Sequence, residues 1–140
     1  MKQLGVDLGD RRCGIAVCDK DELLATPHAT LEVRGLKDAA AQIGELCRKL
    51  CVEQIVVGLP LKTDGKRGER AERVLAFCDL IRPQVQIPIV TWDERFTTVE
   101  AYGYLHQSGK SVKEGRAHVD ELAATLILQS YLDAQKQKKA

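Results

Sequence analysis

The stretch Gln54-Ile55-Val56-Val57-Gly58-Leu59-Pro60 constrains the fold of this chain more than any other. A continuous apolar, β-branched run closed by Gly and Pro reads as a strand buried on both faces, the signature of a parallel sheet. Parallel neighbours require crossover connections, usually helices, and the flanking sequence supplies them. Leu36, Ala39, Ala40, Ile43, Leu46, Cys47 and Leu50 recur at i, i+3, i+4 steps, which predicts an amphipathic helix from Leu36 to Leu50. A second helix runs from about Glu69 to Ile81 and stops before Pro83, after a turn at Thr63-Asp64-Gly65. Pro88-Ile89-Val90-Thr91-Trp92 is the next strand and runs into Asp93-Glu94-Arg95. Thr97 or Thr98 can cap a helix reaching about His106. A Gly/Ser/Lys loop, Gln107 to Ala117, leads to a last long helix that begins near His118 and gives way to the charged tail Gln135 to Lys139.

Ahead of these units, Gln3 to Gly9 and Cys13 to Cys18 read as strands around the polar turn Asp10-Arg11-Arg12, most simply a hairpin. A third strand falls between Leu24 and Val33, interrupted by Pro27. The expected fold class is α/β: a mixed five-stranded sheet, with antiparallel first strands, then parallel βα units, and helices on both faces. The 140 residues suit one domain, with no internal repeat or linker. No apolar run approaches the ~20 residues that span a bilayer, and no signal-peptide pattern opens the chain, so no membrane partner is expected. Of the five cysteines none forms a CxxC pair, and a reducing cytoplasm fits. Cys47 and Cys51 stand i,i+4 on the expected first helix; small core residues are the better reading than metal ligands. Twenty-one basic against twenty acidic residues neither support nor exclude nucleic acid, so any such surface must be local.

Three acids stand where a core pattern has no use for them. In the first strand, Leu4, Val6 and Leu8 share one face, and Gly5, Asp7 and Gly9 the other, leaving Asp7 over bare backbone with room for a ligand. A lone buried carboxylate is costly without a partner, and a metal ion is one such partner; a hydrogen-bonded strand-end Asp is the bland alternative. In the last helix, Val119, Leu122, Ala123, Leu126, Ile127 and Tyr131 form the expected apolar arc. Asp120 falls inside that arc, whereas Glu121 points about a third of a turn away, towards solvent. The helix dipole accounts for an acid in the first turn, not for its inward face. Asp93 and Glu94 end the fifth strand on opposite faces, so only one of them joins Asp7.

Three clustered carboxylates repel one another unless cations lie between them, and all-oxygen ligation is what Mg²⁺ or Mn²⁺ prefers. Asp7, Asp93 or Glu94, and Asp120 are therefore candidate metal ligands, for two ions in the manner of two-metal phosphodiester hydrolysis. The histidines, His28, His106 and His118, are scattered without ligand spacing. Lys62, Lys66, Arg67 and Arg70 follow the fourth strand, Arg95 follows the acidic pair, and Lys110, Lys113 and Arg116 precede Asp120. Ligands of open α/β sheets bind beyond the carboxyl ends of the strands, which these basic residues border and where they could hold a phosphate backbone. A solvated surface is the bland reading, weakest for the Lys110–Arg116 loop, whose single acid is Glu114. Trp92 could stack on a base, though a core position is the stronger reading.

Taken in order, Val6-Asp7-Leu8-Gly9 with Gly14-Ile15-Ala16-Val17, Ile55 to Leu61 with Asp64-Gly65, Asp93-Glu94-Arg95 with Thr97-Thr98-Glu100-Ala101, and Val119-Asp120 with Ala123-Ala124 resemble the YqgF/RuvX family across nearly the whole chain. The resemblance implies an RNase H-like fold and a nuclease. The family is described as maturing the 5′ end of precursor 16S rRNA, and earlier as a Holliday junction resolvase by similarity to RuvC. It makes Asp7, Glu94 (or Asp93) and Asp120 the metal-binding acids, and precursor rRNA, the small ribosomal subunit or branched DNA the partners, for a monomer or a homodimer. One departure from RuvC is plain: its fourth strand ends in an acid, where this chain has Gly58-Leu59-Pro60, so the second acid must come from Asp93-Glu94. A non-catalytic RNA- or ribosome-binding module is the alternative from outside enzymology.

Overall fold

The computed structural model describes residues 1–22, 24–97 and 116–139. One five-stranded sheet forms, in the order β3-β2-β1-β4-β5. Its strands are β1 (Gln3–Leu8), β2 (Arg12–Cys18), β3 (Ala25–Glu32), β4 (Gln54–Leu59) and β5 (Ile89–Asp93). The first three pair antiparallel, whereas β4 runs parallel to β1 and to β5. Pro27 sits in an edge strand, where its missing N–H breaks no inner ladder. There the β2–β3 register slips between Ile15 and Ala16. Helices α1 (Leu36–Leu50) and α2 (Glu69–Ile81) follow their sequence periods.

The two faces of the sheet bury different layers. On one, Leu4, Val6, Ile15, Ile55 and Val57 pack against Ala40 and Ile43 of α1 and Phe77 and Ile81 of α2. On the other, Ala16, Cys18 and Val56 pack under the last helix, α3 (Arg116–Lys139). Helix α3 supplies Ala124, Ile127, Leu128 and Leu132, and Trp92 and Tyr131 close the flank edge to face with ring centroids 5.6 Å apart. Trp92 donates its indole N–H to Ser130 Oγ at 3.0 Å, so it is a packing residue. The helix lies close against the sheet at two glycines. A Cβ on Gly5 would come within 2.7 Å of Leu128 Cβ, and one on Gly14 would overlap the main-chain oxygen of Asp120.

Several details differ from the sequence reading. The chain stays helical through Lys139, with Leu132 fully buried near its middle, so Gln135 to Lys139 is no frayed tail. The buried stripe of α3 is rotated from the expected arc: Val119 is 59% exposed, while Ala124 and Leu128, outside that arc, are wholly buried. Glu121 turns to the sheet edge and accepts a hydrogen bond from Thr30 Oγ1 at 3.2 Å. Cys51 caps α1 in the left-handed conformation, exposed and past the helix end, so it shares no face with buried Cys47. The helix expected from Thr97 or Thr98 to His106 lies outside the described residues. Among the described residues, no helix is long and apolar enough to cross a membrane.

Candidate active site

Parallel pairing puts the ends of β1, β4 and β5 at one edge of the sheet, and α3 begins above it. Asp7 stands opposite Gly14 in the β1–β2 register. Because Gly14 lies directly under the Asp120 backbone, the second turn of α3 is set over Asp7. Glu94 leaves β5 in a short 3-10 turn, and its side chain covers Gly58 of β4: a Cβ there would sit 3.1 Å from Glu94 Oε1. The absence of an acid from the end of β4 is thus matched by a carboxylate reaching across from β5. The glycines around Asp7 do not leave the open floor that alternation alone suggests. Leu128 fills the space over Gly5, and the β1–β2 turn closes over Gly9, whose N–H donates to the Arg12 carbonyl at 3.0 Å.

Asp7 is the carboxylate that lies between the other two electrostatically. Burial raises Asp7 above the usual carboxylate range, and the nearby Asp120 charge adds to this; Arg70 offsets part of it. Burial, followed by Asp7, pushes Glu94 up to about 7, again against Arg70. Asp93 behaves in the opposite way. Arg95 clasps it, with Nη2–Oδ2 at 2.6 Å and Nε within 3.1 Å of both oxygens, and these hydrogen bonds hold Asp93 below its ordinary range. The pair Asp93–Glu94 therefore divides: Glu94 faces the cluster, and Asp93 is occupied with Arg95. That ion pair also commits Arg95, placed above among the candidate backbone contacts, although its side chain remains 39% exposed.

Asp120 Oδ2 carries the clearest mark of an unfilled role. It is buried and takes no hydrogen bond, and Arg12 Nε at 3.6 Å is its ion-pair partner. A buried carboxylate oxygen without a donor is uncommon and calls for a ligand or a function. The donor set of Asp7, Glu94 and Asp120 is all oxygen and anionic, which suits a hard divalent cation. Among the described residues, however, no three His, Cys, Asp or Glu side chains are gathered tightly enough to form a ready-made centre. The chemistry fits such an ion; drawing the carboxylates together would fall to the ion itself.

Lys62, Lys66 and Arg67 are exposed on the β4–α2 loop and make no ion pair among the described residues. The loop is fixed by the expected turn: Gly65, at φ +84°, donates its N–H to the Lys62 carbonyl at 2.8 Å, and Asp64 Oδ1 accepts from the Lys66 N–H. Lys110 and Lys113, and the Arg116 and His118 side chains, lie outside what the structure describes. Two basic residues that the sequence reading did not place at the site belong to its surroundings. Arg12 alternates with Gly14 on β2 and so shares the Asp7 face, a period-two signal present in the sequence. Arg73, one turn beyond Arg70 on α2, pairs with Asp10 at 3.3 Å, a contact visible only in three dimensions.

Residues 1–134 match the family described as RuvX, Holliday junction resolvase. A protein of Syntrophus aciditrophicus (strain SB), named as a candidate pre-16S rRNA nuclease, is 42% identical over 139 residues, covering 99% of this chain and 93% of its own length. A Clostridium novyi (strain NT) protein of the same name is 38% identical over 134 residues, covering 96% and 99%. Among solved structures, T. thermophilus RuvC in complex with a Holliday junction substrate superposes with a TM-score of 0.64 at 16% identity, covering 96% of each chain. The Fowlpox virus resolvase bound to Holliday junction DNA gives 0.62 at 10%, covering 96% and 99%. Identities this low bear on the fold alone.

Proposed function

The chain belongs to the RuvX family, and from that premise we propose that it is a single-domain, divalent-metal-dependent endonuclease that trims the 5′ end of precursor 16S rRNA in the cytoplasm. The observation that carries this is the convergence of Asp7, Glu94 and Asp120, from two strand ends and a helix start, with the Asp120 Oδ2 buried and without a donor. The relatives' names supply the substrate class.

Asp7, Glu94 and Asp120 would hold Mg²⁺ or Mn²⁺, as two ions. Bound there, such an ion would supply Lewis acidity, for the activation of water and against the charge of the phosphate. The chain's own groups do the rest. Burial lifts Glu94 to about 7 in the chain alone, and a cation held there would favour its ionised form. Arg70, whose charge already acts on both Asp7 and Glu94, is placed to offset the negative charge that builds on the phosphate. Arg12 steadies Asp120 through their ion pair. Lys62, Lys66 and Arg67, together with Lys110, Lys113 and Arg116, would hold the backbone of the structured RNA, with the small ribosomal subunit as the setting.

The test is incubation of a precursor 16S rRNA fragment with the purified chain in Mg²⁺, in Mn²⁺ and in EDTA. Cutting in either metal and none in EDTA is expected. An RNA left intact in both metals would refute the nuclease reading and favour a binding module.

A further inference from the structure

An open groove of about 1010 Å³ is walled by the Asp10–Arg12 turn, the end of β3 and the start of α1, and Arg12 joins it to Asp120. We propose that this groove binds the sugar–phosphate backbone of an RNA strand continuing away from the cleavage position. The proposal rests on the nuclease reading and adds a second, separate anchoring surface to it.

Continuity with the site is the first observation. Arg12 lines the groove, and its Nε lies 3.6 Å from Asp120 Oδ2, so a strand leaving the carboxylates passes this side chain first. The second is the state of the charges. Arg11 and Arg34 also line the groove, are exposed, and form no ion pair among the described residues. The groove's acids are engaged differently. Asp10 pairs with Arg73 at 3.3 Å, and Asp38 accepts the Arg34 N–H at 2.8 Å and a Gln42 amide proton at 3.0 Å. Glu32 remains as one carboxylate against two uncommitted guanidiniums, whose planar forks match phosphate oxygens.

The third observation is the openness of the backbone at Gly35. Its φ of +106° favours glycine, and a Cβ there would meet nothing within 4 Å. The main chain therefore stands clear of side chains where the groove reaches α1, close enough for a phosphate to approach. The three arginines and Gly35 line one groove, and Arg12 among them reaches Asp120. Among the described residues, the loop after β4 does not line this groove.

Binding of a fluorescein-labelled precursor 16S rRNA fragment to the full chain, read by anisotropy in EDTA, tests this without cleavage. Arg11→Ala with Arg34→Ala should weaken binding roughly tenfold near 0.15 M salt and lower the log–log salt slope by about 1.5, the share of two phosphate contacts. Arg11→Lys with Arg34→Lys should recover most of the affinity, since the point charges return. Affinity and slope unchanged in the double-alanine variant, or no binding by the wild type, would overturn the groove. Cleavage of the same RNA by wild type in Mg²⁺ is scored separately. A wild type that does not cut, beside a variant that binds more weakly, removes the nuclease reading and leaves the groove standing. A wild type that cuts, beside a variant that binds as tightly, does the reverse.

Discussion

Glu94 carries the site's most direct physical signature, because its carboxyl is lifted from 4.5 to about 7 mainly by burial. Below pH 4.5 both folded and unfolded chains are protonated there, and nothing is lost. As pH rises to 7 the unfolded chain ionises first, so the folded state becomes relatively less stable; above 7 the full penalty applies. Glu94→Gln, melted in EDTA, should therefore match wild type near pH 4 and exceed it at pH 8. Allowing for its partial exposure, the gain is on the order of 1 kcal/mol, or about 3 °C. An equal difference at both pH values would contradict the assignment of burial as the cause. Asp7→Asn removes a half-buried charge and should leave the melting temperature equal or higher, while cleavage falls by roughly 10²–10³-fold, the scale of losing one preorganised electrostatic contact. Loss of activity together with collapse of the fold would show that Asp7 is structural instead.

The elements are positioned by contacts of very different tolerance, and two glycines separate them. Gly14→Ala would drive a methyl into the Asp120 backbone, so the start of α3 must lift from the sheet. Such overpacking against main chain should cost about 3 kcal/mol, and it should abolish cleavage even though Asp7 and Glu94 are untouched. Gly44→Ala, in the middle of α1, has its one tight contact with the flexible end of Gln84 at 3.3 Å and gains helix propensity. It should stabilise by roughly 0.5–1 kcal/mol with activity intact, read by denaturant midpoint. What could be read from sequence follows the same division. The run Ile55 to Leu59, the α1 period and the Asp7 alternation are local patterns and appear as expected. The face of α3 does not follow from its own wheel, because the notches at Gly5 and Gly14 decide how the helix seats, turning Val119 outward and Leu128 inward. Whether Asp93 or Glu94 joins the cluster is likewise decided by a partner, Arg95, whose clasp on Asp93 is a matter of side-chain geometry in the turn after β5.

At the scale of the whole molecule, the hairpin-then-βα order places three acids at one sheet edge and leaves basic side chains on two sides of them, on the β4–α2 loop and around the Arg11–Arg34 groove. A net charge of +1 conceals this asymmetry, which is why composition alone could not reveal it. The same fold accommodates the Holliday junction resolvases to which it superposes, so the sheet does not select the substrate. The measurement that tests the central claim most directly sets end-labelled precursor 16S rRNA beside a synthetic four-way DNA junction, each with Mg²⁺, Mn²⁺ or EDTA, for wild type and for Asp7→Asn with Asp120→Asn. Metal-dependent cutting of the RNA, with the junction intact and both substrates untouched by the double variant, is the predicted result. Cutting of the junction alone, or RNA cutting that survives the double variant, would contradict it.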